Sequence, residues 1–309
     1  MTTALFWHEA ALDHVTPPGH PERVARVEAI QAVLQDLDLD RRVAPLADIA
    51  EVYRCHPEAY AARVQAAIPA TGYVSLDADT HVSSGSLQAA LRAVGGCNAA
   101  VDAVISGEVA NAFVSQRPPG HHAETETAMG FCLFGTVAIA AKHALDHHGL
   151  ARVAVLDFDV HHGNGTQDLL WNEARAMFAS SHQMPLYPGS GASHETGAHG
   201  QIVNVPLTPM SGGEAMRRAW GNMILPAVRD FEPELILISA GFDAHEDDPL
   251  ANLRWSAEDF AWLTHAICDV ADEVAKGRVV STLEGGYDLD GLSASVRRHV
   301  EVLMERGNG

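Results

Sequence analysis

A chain of 309 residues, 47% of them hydrophobic, has ample material for one large α/β domain or two average ones. A formal net charge of −20 argues against a nucleic-acid surface, and no apolar stretch is long enough to span a bilayer. The start, Met1 to Glu9, lacks a basic leader, and the four cysteines form no CxxC pair, so free thiols in a reducing cytoplasm are expected.

Taken in order, Ala4 to His8 reads as a first strand, followed by the loop Thr16 to Glu22. Val24, Val27, Ile30, Val33, Leu34 and Leu37 have helical spacing. Tyr53 to Tyr60 turns into another helix, and Asp77-Ala78-Asp79-Thr80-His81 is an acidic loop. Ser86 is expected to cap a long Ala-rich helix from Leu87 to Ile105. Asn111 to Ser115 is a short strand that breaks at Pro118-Pro119-Gly120 and then presents His121-His122. Phe131 to Leu145 is apolar at helical spacing. Val153 to Leu156 is a buried-strand run, with a helix expected near Gln167–Trp171 and a strand at Ala176–Ser180. Gln183 to Gly200 is a long Gly-, Pro- and His-rich loop of the kind that builds a site rim. A helix from about Gly213 to Phe231, strand Leu235–Ser239, a helix from Ser256 to Val274, strand Arg278–Leu283 and a terminal helix complete the chain. Strands alternate with helices and no linker stands out, so residues 1–309 read as a single α/β domain with a mainly parallel sheet flanked by helices.

Polar residues at strand ends carry the chemistry. Asp159 and His161 are two apart and leave an extended backbone on one face, with Asp157 one step deeper. Alone, each such group has a bland reading: a polar turn, a helix cap, a rim aromatic. Yet His121-His122, Asp157/Asp159/His161, Asp243 and Tyr287 all follow strands, and in a parallel sheet these ends share the edge where ligands bind. Asp159, His161 and Asp243 would hold a metal by mixed O/N ligation with an open position, which favours catalytic zinc; Fe²⁺ could replace it in the cell. A histidine beside it would act as base and acid, a phenol would donate to the oxyanion, and Asp157 and Asn164 would orient the histidines. The expected reaction is hydrolysis of an amide without a covalent intermediate.

Arg117-Pro118-Pro119-Gly120-His121-His122-Ala123, Gly130-Phe131-Cys132, Asp157 to Thr166, Ser239 to Asp243 and Glu284-Gly285-Gly286-Tyr287 together resemble the histone deacetylase family, over nearly the whole chain. The match is closest to its class II members and the bacterial deacetylase-like and acetylpolyamine amidohydrolases. The resemblance implies the arginase/deacetylase fold. It implies His121 backed by Asp157, His122 as general base and acid beside Asn164, and Tyr287 as the catalytic tyrosine. It also implies a tunnel at Gly130, Phe131 and Tyr187. A structural K⁺ is implied on the carbonyls of Asp157, Asp159, His161 and Ser181 and the Ser180 hydroxyl. Val24 replaces a common proline and Gly135 a usual class II asparagine.

Three rivals remain. A binding-only member would lack the tyrosine or a ligand, and ureohydrolase chemistry would need a second metal. Among deacetylases, the open question is an acyl-lysine protein, an acetylated polyamine or another small amide as substrate. In the polyamine-selective branch a Glu stands where this chain has Leu250, which favours acyl-lysine; Asp79, Asp77 and the net charge could still draw a polycation. Neither nucleic acid nor membrane is an expected partner, and the oligomeric state is left open.

Overall fold

Val153–Asp157 reads Val-Ala-Val-Leu-Asp and is buried along its whole length, as a strand covered by helices on both faces must be. The computed structural model describes residues 2–307; Met1, Asn308 and Gly309 lie outside the described residues. The first elements are β1 (Thr3–Trp7), α1 (Ala10–Asp13), α2 (Ala25–Val33), β2 (Asp40–Val43), α3 (Glu58–Ala66), β3 (Tyr73–Ser75), β4 (His81–Ser83), α4 (Ser86–Ser106) and β5 (Asn111–Val114). Then come α5 (Thr136–Asp146), β6 (Val153–Asp157), α6 (Asn164–Leu170), β7 (Ala176–Gln183), β8 (Ile202–Leu207), α7 (Gly213–Ala219) and α8 (Leu225–Phe231). The chain ends with β9 (Ile236–Ala240), α9 (Ala257–Val274), β10 (Val279–Leu283) and α10 (Leu289–Gly307).

Eight strands form one sheet in the order β2-β1-β5-β10-β9-β6-β7-β8, and every pairing in it is parallel. β3 and β4 form a separate antiparallel hairpin. Alternate side chains feed two helical layers. Leu5, Phe113, Leu156 and Ile238 pack with Val27, Phe260 and Val300 of α2, α9 and α10. Phe6, Val114, Val155 and Leu237 pack on the other face with Val94 and Val137 of α4 and α5. Burial of each such side chain contributes about 1.5–3 kcal/mol. With all strands parallel, the carboxyl ends of β5, β10, β9, β6 and β7 open side by side on one edge.

Four local expectations differ from the structure. The helix expected from Phe131 begins at Thr136, because Gly130 and Phe131 both have positive φ (55° and 69°) and cannot enter a right-handed helix. Ser86 does not cap α4: its hydroxyl accepts the Ser83 N–H at 2.7 Å and meets Nδ1 of His14 at 2.7 Å. The single helix expected over 213–231 is divided into α7 and α8 by a π turn at Trp220–Ile224. Strands β2 and β8 and the β3–β4 hairpin were not anticipated. Ser256 does start α9, through a reciprocal capping box with Asp259.

Candidate active site

The end of β6 turns its polar residues into the space beyond the sheet. Asp157 Oδ1 accepts the Asp159 N–H at 3.0 Å, and Asp159 Oδ1 accepts the His161 N–H at 2.9 Å, so each carboxylate braces the next step of the loop. Asp243 follows β9 and accepts the Val160 N–H at 2.9 Å through Oδ1. Asp159 Oδ2 accepts the Gly285 N–H at 2.9 Å from the loop after β10. A Cβ at Gly285 would collide with both the Asp243 and Asp159 carboxylates, which is why this loop is glycine where it crosses the site.

Asp159, His161 and Asp243 are all buried, and one ligand atom from each lies within 4.8 Å of the others. His161 Nδ1 is 3.2 Å from Asp159 Oδ1 and 3.1 Å from Asp243 Oδ2. Burial, reinforced by the Asp159 charge, pushes Asp243 up to about 7. Two carboxylates at this separation are not both stable as buried anions unless a cation stands between them. Two carboxylates and one imidazole, converging with one side facing a pocket, fit a divalent metal with an open position.

His121 and His122 stand next to this triad, with ring centroids 4.0 Å apart. His121 Nδ1–H donates to Asp157 Oδ2 at 3.0 Å, and its Nε2 lies 3.7 Å from Asp159 Oδ2. Burial disfavours its charge, but the Asp159 and Asp157 carboxylates outweigh burial and hold it well above the usual histidine range. His122 has the opposite environment. Burial, then repulsion from His121 and His161, holds it well below that range, so it is neutral. Its Nδ1–H donates to Asn164 Oδ1 at 2.7 Å, which leaves Nε2 with a free lone pair. Asn164 cannot flip, because its Nδ2 donates to Glu124 Oε1 at 2.8 Å.

Tyr287 is buried in the loop after β10. Its backbone N–H donates to Asp248 at 2.7 Å, the Arg26 guanidinium lies 4.9 Å over its ring, and Phe131 meets it edge-on at 5.8 Å. A cavity of about 250 Å³ joins these groups. It is lined by the buried His122, His161 and Tyr287, and by Phe131, Tyr187, Leu250 and Asp79. The Tyr187 ring lies 5.2 Å from that of His122. Asp79 Oδ1 accepts the Gly130 N–H at 3.2 Å, and so ties the acidic loop to the tunnel wall. A Cβ at Gly130 would collide with the His122 ring.

Ser180 and Ser181, expected from the resemblance to help hold potassium, lie on β7 beside β6. Ser180 is the register partner of Asp157 across β6 and β7, and its hydroxyl meets His182 Nδ1 at 2.9 Å. Ser181 is buried beside it, its hydroxyl accepting the Trp220 Nε1–H at 2.9 Å.

The sequence reading missed the buttress of the Tyr287 loop. Arg26 donates through Nε to the Gly286 carbonyl at 2.6 Å and through Nη2 to the Glu284 carbonyl at 2.5 Å. Glu22 pairs with Arg26 and with Arg117, all three fully buried. Glu284 in turn accepts the Gly120 and His121 N–H groups at 2.7 and 3.1 Å. It also missed Leu186 in the pocket wall and Glu124 behind Asn164. The only signal for the buttress was a charged residue within each of two Pro-rich loops, His20-Pro21-Glu22 and Arg117-Pro118-Pro119.

Comparison with known proteins places these residues in context. The pattern of the histone deacetylase domain matches residues 20–303. A histone deacetylase-like amidohydrolase of Pseudomonas aeruginosa is 39% identical over 310 residues, covering 92% of this chain and 81% of that protein. A probable deacetylase of Archaeoglobus fulgidus is 38% identical over 300 residues, covering 94% and 83%. Among solved structures, the HDA15 HD domain superposes with a TM-score of 0.93 at 32% identity, over 98% of this chain and 88% of that one.

Proposed function

The chain belongs to the histone deacetylase family, with its arginase/deacetylase fold, and we propose that it is a zinc-dependent deacylase that hydrolyses N-acyl-lysine side chains. The observation that carries this reading is the convergence of Asp159 and Asp243 on His161, which lines a pocket that also presents His122 and Tyr287. Those three side chains would hold the divalent metal, zinc or ferrous iron, which when bound would polarise the amide carbonyl and acidify water. Potassium would sit on the carbonyls of Asp157, Asp159, His161 and Ser181 and the Ser180 hydroxyl.

The chain's own groups then divide the proton work. His122 is neutral, with Nε2 free, and takes a proton from the attacking water. The same nitrogen later delivers that proton to the departing amine. His121 is oriented by Nδ1–H donation to Asp157, with its Nε2 directed towards Asp159. The Tyr287 hydroxyl donates to the oxygen that gains charge. Phe131, Tyr187 and Leu250 exclude water and sandwich an aliphatic lysyl stem.

Leu250 supports acyl-lysine over acetylpolyamine, because a leucine in the wall offers a distant ammonium no partner. Asp79 in the cavity lining, with Asp77 and the net charge of −20, favours the polyamine reading. An acetyl-lysine peptide and an acetylpolyamine compared by kcat/KM at one ionic strength decide between them. A tenfold or greater preference for the polyamine overturns the acyl-lysine assignment.

A further inference from the structure

A second histidine cluster lies far from the pocket. Because α5 runs back from the carboxyl edge of the sheet towards the start of β6, its last turn stands at the opposite edge. That turn carries His143 and His147, four apart and therefore on one helical face, and His148 follows directly. The rings of His143 and His147 stack at 4.8 Å, and His148 meets them edge-on at 5.5 and 4.9 Å. Asp102, on the neighbouring α4, reaches into this group. Its Oδ1 is 2.7 Å from Nε2 of His143 and 2.7 Å from Nε2 of His148. One ligand atom from each of the four residues lies within 4.8 Å of the others.

A separate observation points to a cation here. His143 is buried, and its Nδ1 makes no hydrogen bond. The nearest charged group is Glu51, whose Oε2 lies 3.7 Å away. A neutral ring that donates Nε2–H to Asp102 leaves a bare Nδ1 lone pair facing a carboxylate, which is electrostatically unfavourable. Nδ1 directs a proton at Glu51 when either a metal ion occupies Nε2 or the ring takes a second proton, and the zinc count below separates the two. With the metal ion, this is the carboxylate–histidine–metal arrangement of metal sites generally. Glu51 is itself fixed, accepting from Arg54 at 2.7 Å and from Asn98 at 3.2 Å.

We propose that Asp102, His143, His147 and His148 form a second divalent-metal site that joins the end of α5 to α4. Three imidazoles and one carboxylate are a donor set for zinc. His147 is exposed and His148 half-buried, so the ion exchanges with solvent. At the far edge of the sheet it touches no substrate. Its effect is on stability, since a ligand that binds only the folded chain favours that state.

The full chain and its His147→Ala/His148→Ala variant, both stripped of metal, are dialysed against micromolar Zn²⁺ and the bound zinc is counted. The wild type is expected to hold one more equivalent per chain than the variant and to gain more in Tm when zinc is added, with equal turnover in both. Glu51→Gln is expected to weaken this extra equivalent by about tenfold. Equal zinc counts in wild type and variant, or an extra equivalent that binds only at millimolar zinc, overturn the proposal. Both chains carry the same catalytic pocket, so the difference between them is independent of whether the proposed function holds.

Discussion

Asn164 Oδ1 accepts the Nδ1–H of His122 at 2.7 Å, and this single contact sets which nitrogen of His122 faces the pocket. Glu124 fixes the Asn164 amide from behind at 2.8 Å. Asn164→Ala should therefore lower kcat by about 10²-fold, the scale of a misplaced general base, with KM nearly unchanged. Glu124→Ala should lower kcat by about tenfold, since the amide can then turn. Steady-state kinetics on both variants check this; wild-type turnover in Asn164→Ala would show that His122 is not oriented by it.

Tyr287→Phe removes one hydroxyl and keeps the ring between Arg26 and Phe131. The expected result is a fall in kcat of about 10²-fold or more with KM held, because the hydroxyl acts on charge that exists only in the transition state. Melting temperature should stay near wild type. A packing role alone would give the reverse pattern, a lower Tm with near-normal turnover.

Two buried histidines away from the triad make stability depend on pH. Burial pushes His299 down to about 3 and His56 down to about 4, from the ordinary histidine value of 6.5. Above pH 6.5 folded and unfolded chains both carry them neutral, and their full contribution is present. Below it the unfolded chain takes up protons that the folded chain refuses, so stability falls until pH reaches the folded values. Each histidine costs about 1.4 kcal/mol per pH unit inside that window. His299→Gln can keep partners with Thr264 and Ser281 but cannot titrate. Denaturant unfolding at pH 7 and pH 5 should show a smaller loss in His299→Gln than in wild type; equal losses would contradict the assignment.

Much of the site was legible because it breaks a local rule. An apolar strand such as Val153–Leu156 should not run into Asp157, Asp159 and His161, and that conflict marks function. The edges of the sheet were not legible. Asp40–Val43 is polar because β2 is an edge strand with half its residues exposed, and β8 carries Pro206, which only an edge tolerates. The buttress was invisible for another reason. Arg26 meets Gly286 across 260 residues of chain, and no local pattern encodes that pairing. Gly135, unexplained from sequence, opens α5 where a Cβ would collide with Leu169.

Leu250 tests the substrate assignment within one protein. Its side chain lines the pocket, and its N–H is held by Asp248 at 3.0 Å, so a substituted side chain keeps the same direction. Leu250→Glu should raise kcat/KM for an acetylpolyamine relative to an acetyl-lysine peptide by about tenfold, the worth of one new charge contact of about 1.4 kcal/mol. The shift should shrink as salt is added. An unchanged ratio would mean that this residue does not face the substrate.

The most direct measurement is hydrolysis of an acetyl-lysine peptide by the protein freed of metal by chelation and then resupplied with Zn²⁺. If Asp159, His161 and Asp243 hold the ion on which the reaction depends, turnover falls to background in the stripped protein and returns on adding zinc. Full turnover in the metal-free protein would contradict the account.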